Sequence, residues 1–496
     1  MGRASYVLVV GLCALGSACG PGPGSGPRSG DDARGAMRAA LASTPEFVER
    51  GPHAAAAWAV ARRFYAQREF RPAWFAGGRP TRRVSEFVEA LLGVAEHGLD
   101  PADYGAREIN EASASVSGGW LARPVEATVA ARLDARLTYA FLRLATDLTR
   151  GRVAPGEISP DYLHRQSRDD VAARLREALD SHGVAQTLSS LAPSHAQYTG
   201  LQQALARYRA TSQDGPGSGE DHAWRIRQLE MNMERWRWAP RELGEQHILV
   251  NVAGYELQVV EGYRPVLAMR VVVGEPASPT PLFSDAMTYV VFSPYWNIPE
   301  SILRQETLAQ IAEDPGFMAR AGIEAVRMSG DTVERIDAAA IDWSVDLAEQ
   351  GVRFRQVPGP ENALGRVKFI FPNHFSVYLH DTPTPAVFER ARRAYSHGCV
   401  RVEDPVGLAQ RVLRDDPGWT RERIVAAMDA REETVVRLED PIPVHLGYWT
   451  AWVQQDGTVA FTDDPYGLDR RHDAALRRAR RRAAPPARRP DRVARR

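Results

Sequence analysis

Apolar residues follow two different periods along this chain, and the change falls near residue 240. Between about residues 37 and 210 they recur three and four positions apart. Leu133, Leu137, Phe141, Leu144 and Leu148 form one such stripe, and Gly151 stands just past its end as a stop signal. Similar stripes occupy 54–67, 84–97, 171–181 and 201–209, and HGLDPADY (97–104) reads as a helix exit and turn. A further helix over 224–236 carries Trp224 and Trp236, with Trp238 just beyond; the three tryptophans suit core or domain-interface anchors. After it the period becomes two. HILVNV and YELQVV (247–260), VLAMRVVVG (266–274), MTYVVFS (287–293), VKFIF (367–371), FSVYLH (375–380), HLGYWTAWV (445–453) and TVAFT (458–462) read as strands. Residues 300–365 interrupt them with a mixed, partly helical insertion, and helices are predicted near 385–394, 405–414 and 420–431, the second opened by the cap Asp404 and by Pro405.

The pattern predicts an α+β chain: an α-helical scaffold domain over 37–210 and a mainly-β domain over 223–469 carrying the 300–365 insertion. Gly/Pro/Ser-rich stretches at 20–36 and 211–222 read as linkers. No internal repeat is seen.

Composition changes the picture only at the ends. Apolar content of 44% and charged content of 25% are ordinary for a globular protein. The formal charge is zero, yet residues 470–496 hold twelve arginines against two aspartates. Lys368 is the sole lysine beside 61 arginines, so arginine richness reflects a chain-wide bias and no nucleic-acid partner is expected. The 470–496 tail is expected to be disordered and drawn to anionic envelope surfaces; Pro485, Pro486 and Pro490 argue against one continuous helix. At the other end, Arg3, the apolar run 6–15 and Gly16-Ser17-Ala18-Cys19 read as an export signal of lipoprotein type over 1–19, with Cys19 as the lipid anchor. The protein is thus expected in the periplasm or cell envelope, held at a membrane. Of the three cysteines Cys13, Cys19 and Cys399, the last would be the sole free thiol after cleavage and lipidation, which excludes an intramolecular disulfide.

A lone exported thiol beside histidines is expected to be catalytic. In the predicted strand FSVYLH, Tyr378 and His380 share one side while Val377 and Leu379 share the other. The chain then returns at Ser396-His397-Gly398-Cys399. A thiol near its usual pKa of about 8.5 needs a base to become a good nucleophile at neutral pH. His380 can take that proton and return one to a leaving amine. Backbone N–H groups near Gly398 and Cys399, with the Tyr378 hydroxyl, suit an oxyanion, and Arg401 suits a substrate carboxylate. His397 is read as a structural or oxyanion-orienting residue, with a second base as the alternative, and Asp381 as a turn cap. His380, His397 and Cys399 are also metal-ligand types, but no fourth ligand and no metal-like spacing accompany them, so no metal or cofactor is expected.

These residues closely resemble the L,D-transpeptidases of bacterial cell walls, with their YkuD-like catalytic domain: a histidine (His380), a spacer, then Ser396, His397, Gly398, Cys399 and Arg401. NMERWRW, ILVNV, PTPLF, PYWNIP, LHDTP and PVHLGYWTAWV, with HGLDPADY and LRLATDLTRGRVAP, resemble the large YcbB-type branch, over about 45–465. The resemblance implies that Cys399 attacks the carbonyl of the third residue of a peptidoglycan tetrapeptide stem and expels D-alanine. An amine of a second stem then resolves the thioester into a 3→3 cross-link. Water as acceptor would give an L,D-carboxypeptidase. It further implies that His380 is the base, that Gly398, Cys399 and Tyr378 make the oxyanion site, that Arg401 binds substrate or shapes the site, that 300–365 caps the cleft, and that carbapenem-type β-lactams acylate Cys399. The small wall-binding module usual before the ERWRW helix has no counterpart here, which leaves wall targeting to the Arg-rich tail and the lipid anchor. A non-catalytic wall-binding scaffold protein is the other class of reading, and the presence of both Cys399 and His380 weighs against it.

Overall fold

The computed structural model describes residues 29–117, 124–164, 169–211, 219–314, 316–329 and 332–483. The N-terminal part is helical, as the period predicts. Its centre is the long helix α1 (Ala127–Arg150), buried on nearly every side. Trp58, Phe64, Tyr65, Trp74 and Phe87 pack against it, with its own Phe141, in one apolar core. Asp134, fully buried in the middle of α1, accepts the N–H groups of Ala73, Trp74 and Phe75 and the Tyr65 hydroxyl, so a loop is stapled to the helix from inside. Gly151 ends α1 with φ +76°, and a Cβ there would lie 2.6 Å from the Trp238 Nε1. Only glycine fits both the turn and the close approach.

Helix α2 (Glu220–Trp238) joins the two parts. Trp236 is stacked between His195 (4.3 Å) and Trp449 (4.4 Å), and Trp238 meets Tyr162 edge-on at 5.1 Å. These tryptophans are therefore the interface anchors that their spacing suggests.

Eight strands of the second part form its main sheet: β1 (Gln246–Asn251), β2 (Glu256–Glu261), β3 (Arg264–Gly274), β4 (Ser284–Phe292), β5 (Val367–Ile370), β6 (Leu379–His380), β7 (Val400–Val402) and β8 (Thr434–Gly447), while Ala451–Val453 and Val459–Phe461 pair separately. They are hydrogen-bonded in the order β3-β7-β6-β5-β4-β8-β1-β2, and β2 pairs again with β3, so the sheet closes into a barrel. Only β6·β7 and β8·β1 are parallel within it. The short strand Ala394–Ser396 adds alongside β3. Alternate residues fill the barrel: Val271, Val273, Val290, Phe292, Val367, Phe369, Leu379, Val400 and Val402 are all buried in one core.

The insertion leaves the barrel after β4 and returns before β5. It forms a four-stranded antiparallel sheet with short helices and its own small core of Ile298, Leu303, Ile323, Val352 and Phe354.

Three expectations need correction. A helix already begins at Ser29, inside the stretch read as linker, and runs to Ala42, and Ala196–Thr211 and α2 take up the ends of the second linker. Residues 470–483 of the supposed tail belong to helix α3 (Leu468–Ala483), docked through buried Leu468, Asp469, His472, Ala475 and Leu476. Its apolar positions fall four, three and one apart, a stripe that the arginines between them mask. Finally, only Leu379 and His380 of FSVYLH pair as strand. Asn373 holds the preceding turn instead, donating to the carbonyls of Phe371 and Val377 and accepting the N–H groups of Phe375 and Val377. Cys19, the signal segment and residues 484–496 lie outside the described residues.

Candidate active site

β6 and β7 run parallel, with Leu379 level with Val400 and His380 level with Arg401. The Val400 N–H donates to the Tyr378 carbonyl (3.1 Å), which carries the register back to Tyr378 beside Cys399. Leu379 and Val400 point into the barrel core, so alternation turns Tyr378, His380, Cys399 and Arg401 to the outer face together. On the other side of β6, β5 places Lys368 level with His380.

The turn before the thiol is built by short-range hydrogen bonds. Gly398 has φ +114°, a conformation that suits glycine. Its N–H donates to the Ser396 Oγ (3.2 Å), and the Ser396 hydroxyl donates to the Cys399 carbonyl (2.5 Å). Ser396 thus serves the backbone and not the substrate. Thr280, buried to 1% exposure, donates its hydroxyl to the Gly398 carbonyl and accepts the Gly274 N–H, both at 2.8 Å. Tyr466 backs it, donating to the Gly274 carbonyl at 2.7 Å and accepting the Thr280 N–H at 3.2 Å. A trans peptide points its C=O and N–H in opposite directions, so fixing the Gly398 carbonyl on Thr280 turns the Cys399 N–H away from it, as an oxyanion donor requires. Sequence reading missed Thr280 because PTP between two strands signals only a turn.

Cys399 is half-buried, and its Sγ faces the Ser376 carbonyl at 3.9 Å. Ser376 has φ +56°, a left-handed conformation uncommon for a side-chain-bearing residue. Burial pushes the thiol pKa up, and the Tyr378 backbone and hydroxyl and the Arg401 guanidinium only partly oppose it. The Tyr378 phenol is in turn held above its ordinary value by burial and by the thiol. His380, 4% exposed, is pushed down to about 3, by burial first and then by Arg401. Its Nδ1 donates to the Asp381 carbonyl at 2.6 Å, which leaves Nε2 to accept a proton. The Tyr378 and His380 rings meet edge to face at 5.8 Å. No direct thiol–imidazole hydrogen bond is present among the described contacts. Tyr378 touches both partners instead. The Asp381 carboxylate accepts the Arg366 N–H at 2.9 Å and so ties down the returning end of the insertion.

Arg401 is half-buried, and its Nε has no hydrogen-bond partner among the described residues. Burial lowers its proton affinity and the Cys399 sulfur raises it. A guanidinium held in this way beside the thiol is suited to an incoming carboxylate. His397 turns outward, with Nε2 at 2.7 Å from the Glu306 Oε1 of the insertion. The insertion therefore reaches both sides of the site, a contact across 91 positions that no local pattern could disclose. Among the described residues no group of three or more His, Cys, Asp or Glu side chains converges as a metal site would require.

Comparison with known proteins agrees with this architecture. A scaffold-domain family model matches residues 59–205, and an L,D-transpeptidase catalytic-domain model matches residues 245–425. A Haemophilus influenzae protein that carries a provisional L,D-transpeptidase name is 31% identical over 317 residues, which is 64% of this chain and 62% of that protein. The chain thus spans less than two thirds of that curated relative's length. The catalytic-domain match begins at β1 and takes in Cys399, His380 and the insertion, while the scaffold match takes in α1. A helical scaffold domain ahead of a β-rich L,D-transpeptidase catalytic domain is the architecture of the large YcbB-type branch of that family, and this chain matches it.

Proposed function

We propose that this protein joins peptidoglycan stems through 3→3 cross-links by cysteine acyl-enzyme chemistry. The observation that carries the reading is the parallel pairing of β6 and β7, which sets Tyr378 and His380 beside Cys399 and Arg401 on one face. His380 takes the thiol proton as the Cys399 sulfur attacks the carbonyl of the third stem residue. The oxyanion is met by the Cys399 N–H and the Tyr378 hydroxyl. Collapse breaks the peptide bond, and His380 returns the proton to the departing D-alanine nitrogen, leaving a thioester. Arg401 holds a carboxylate of the donor. Catalytic hydrogen bonds that are loose without substrate tighten in the complex, and the thiol–imidazole bond is of this kind. An amine of a second stem then takes the acyl group. Export, a lipid anchor on Cys19, attraction of the arginine-rich end to anionic envelope surfaces and acylation by carbapenems belong to the same reading. No nucleic acid and no cofactor enter it.

Trimming of tetrapeptide stems by water, an L,D-carboxypeptidase activity, shares every step up to the thioester. Mass spectrometry of disaccharide-tetrapeptide incubated with the protein separates the two. A dimer lighter by one D-alanine is expected, absent with Cys399→Ala. Tripeptide alone would replace the transferase reading by the hydrolase. Intact substrate with a free thiol would leave a binding role.

A further inference from the structure

The hydrogen bond between His397 and Glu306 serves nothing in the acylation half just described. The two side chains come from separate bodies, the nucleophile turn on the barrel and the insertion over it. Glu306 sits in a single π-helical turn, Leu303–Thr307, inside a run of short helices. Such single turns are found frequently at functional sites. The turn is not loosely placed. Leu303 and Thr307 are buried in or beside the insertion's own core, so Glu306 is presented by a packed element while its carboxylate stays half-exposed. A carboxylate only accepts, so His397 Nε2–H donates to it, and in the neutral ring the lone pair lies on Nδ1. This is the arrangement of a base oriented by a third group, two residues from the nucleophile and open to solvent. His380 is the opposite, buried and with weak proton affinity. The second half of the reaction needs an exposed base, because a side-chain amine with a pKa of about 10.4 arrives protonated and cannot attack until one proton leaves.

We propose that His397 is the base for the amine acceptor, that Glu306 is its positioning residue, and that the insertion thereby decides whether the thioester goes to an amine or to water. This rests on the acyl-enzyme reading of Cys399. The acceptor ammonium gives its first proton to His397 Nδ1, which passes it to solvent. The freed nitrogen lone pair forms the C–N bond at the thioester carbon. The second nitrogen proton moves to His380. The C–S bond breaks, its electron pair stays on sulfur, and His380 protonates the Cys399 thiolate. The third proton remains on the new amide.

The test measures dimer-to-tripeptide partition from disaccharide-tetrapeptide in the full-length protein, the Glu306→Ala variant and the Glu306→Gln variant, with D-alanine release followed separately. Two added amines serve as alternative acceptors, one with a side-chain-type pKa of about 10.4 and one α-amine of about 8. Glu306→Ala is expected to lower the transfer-to-hydrolysis ratio about tenfold or more for the strongly basic amine, less than the roughly 10²–10⁴ of losing a general base outright because His397 itself remains. The loss should be several-fold smaller for the α-amine, which needs less help to deprotonate. Glu306→Gln retains an acceptor for His397 Nε2–H and should fall between. Equal partition in wild type and Glu306→Ala overturns the inference. So does a parallel fall in D-alanine release and transfer with no dependence on amine basicity, which would make Glu306 merely structural. If the wild type yields tripeptide but no amine product, the inference fails while the acyl-enzyme stands. If it never releases D-alanine, the underlying reading fails.

Discussion

Burial shapes the chemistry of Cys399 and His380 in opposite directions. It raises the thiol and lowers the imidazole to about 3, because in both cases the charged form is the one that loses solvation. Above about pH 4 the imidazole is therefore neutral, and near neutrality the thiol keeps its proton. The resting site holds a neutral pair and no thiolate–imidazolium ion pair. Arg401 favours the thiolate but also disfavours a protonated His380, so it does not assemble an ion pair either. Alkylation of Cys399 by iodoacetamide should then climb about tenfold per pH unit from 7 to 9, the behaviour of a thiol below its pKa. A plateau already reached at pH 7 would show a preformed thiolate and sink this account. At this scale the sequence was legible where chemistry is local: Tyr378 and His380 two apart, Cys399 and Arg401 two apart. Thr280 and Glu306 were not, because their partners lie 118 and 91 positions away and threonine or glutamate alone carries no signal.

Helix α3 shows how one element fastens two domains. Asp469, near its N-terminus, is fully buried, pairs with the buried Arg235 of α2 at 2.7 Å and accepts the Thr450 hydroxyl (2.8 Å) and the Gln228 amide (3.0 Å). An acidic side chain at a helix start also meets the positive end of the helix dipole. One turn on, His472 packs against Trp238 at 4.8 Å, and further along Arg480 reaches Asp100 and Asp103 of the scaffold. Asp469→Ala would strand the Arg235 guanidinium in the interior, so a loss of about 3–5 kcal/mol is expected in urea titrations. A change below ~1 kcal/mol would mean that water reaches Arg235 and that α3 is not the fastening. The barrel strands and scaffold helices were legible because period two and period 3.6 each reflect a face that must be buried. α3 was not, since its charge hid a stripe of four apolar and imidazole positions. FSVYLH misled in the other direction. Its alternation is real, and Val377 and Leu379 are buried as it implies, yet Asn373 and the left-handed Ser376 fold the first residues into a turn before pairing can begin.

Across the whole molecule, histidines are buried in their neutral form where scaffold and barrel meet. His97 contacts the Tyr198 hydroxyl (3.0 Å), His195 stacks on Trp236, and His164 and His445 share the Ser284 hydroxyl at 3.3 and 2.8 Å. Burial lowers each of these four to about 4, and His380 to about 3. In the unfolded chain each takes a proton near pH 6.5. Between about pH 6.5 and 4 the unfolded state therefore binds more protons at these sites, and stability is lost as pH falls. Asp134 and Asp147 work the other way. Burial raises both to about 6, so the folded state binds their protons first and gains as pH falls toward 4. Five groups outweigh two. For these seven groups a net uptake of about three protons on unfolding near pH 5 corresponds to ~4 kcal/mol lost per pH unit. Denaturant midpoints should thus be flat between about pH 7 and 8 and fall steeply below 6, with the slope reduced in His445→Gln, which removes one of the five without adding a charge. A flat midpoint from pH 7 to 5 would mean that these imidazoles are protonated in the folded state. The joint between the domains would then be wetter than its stacked tryptophans and shared serine hydroxyl allow.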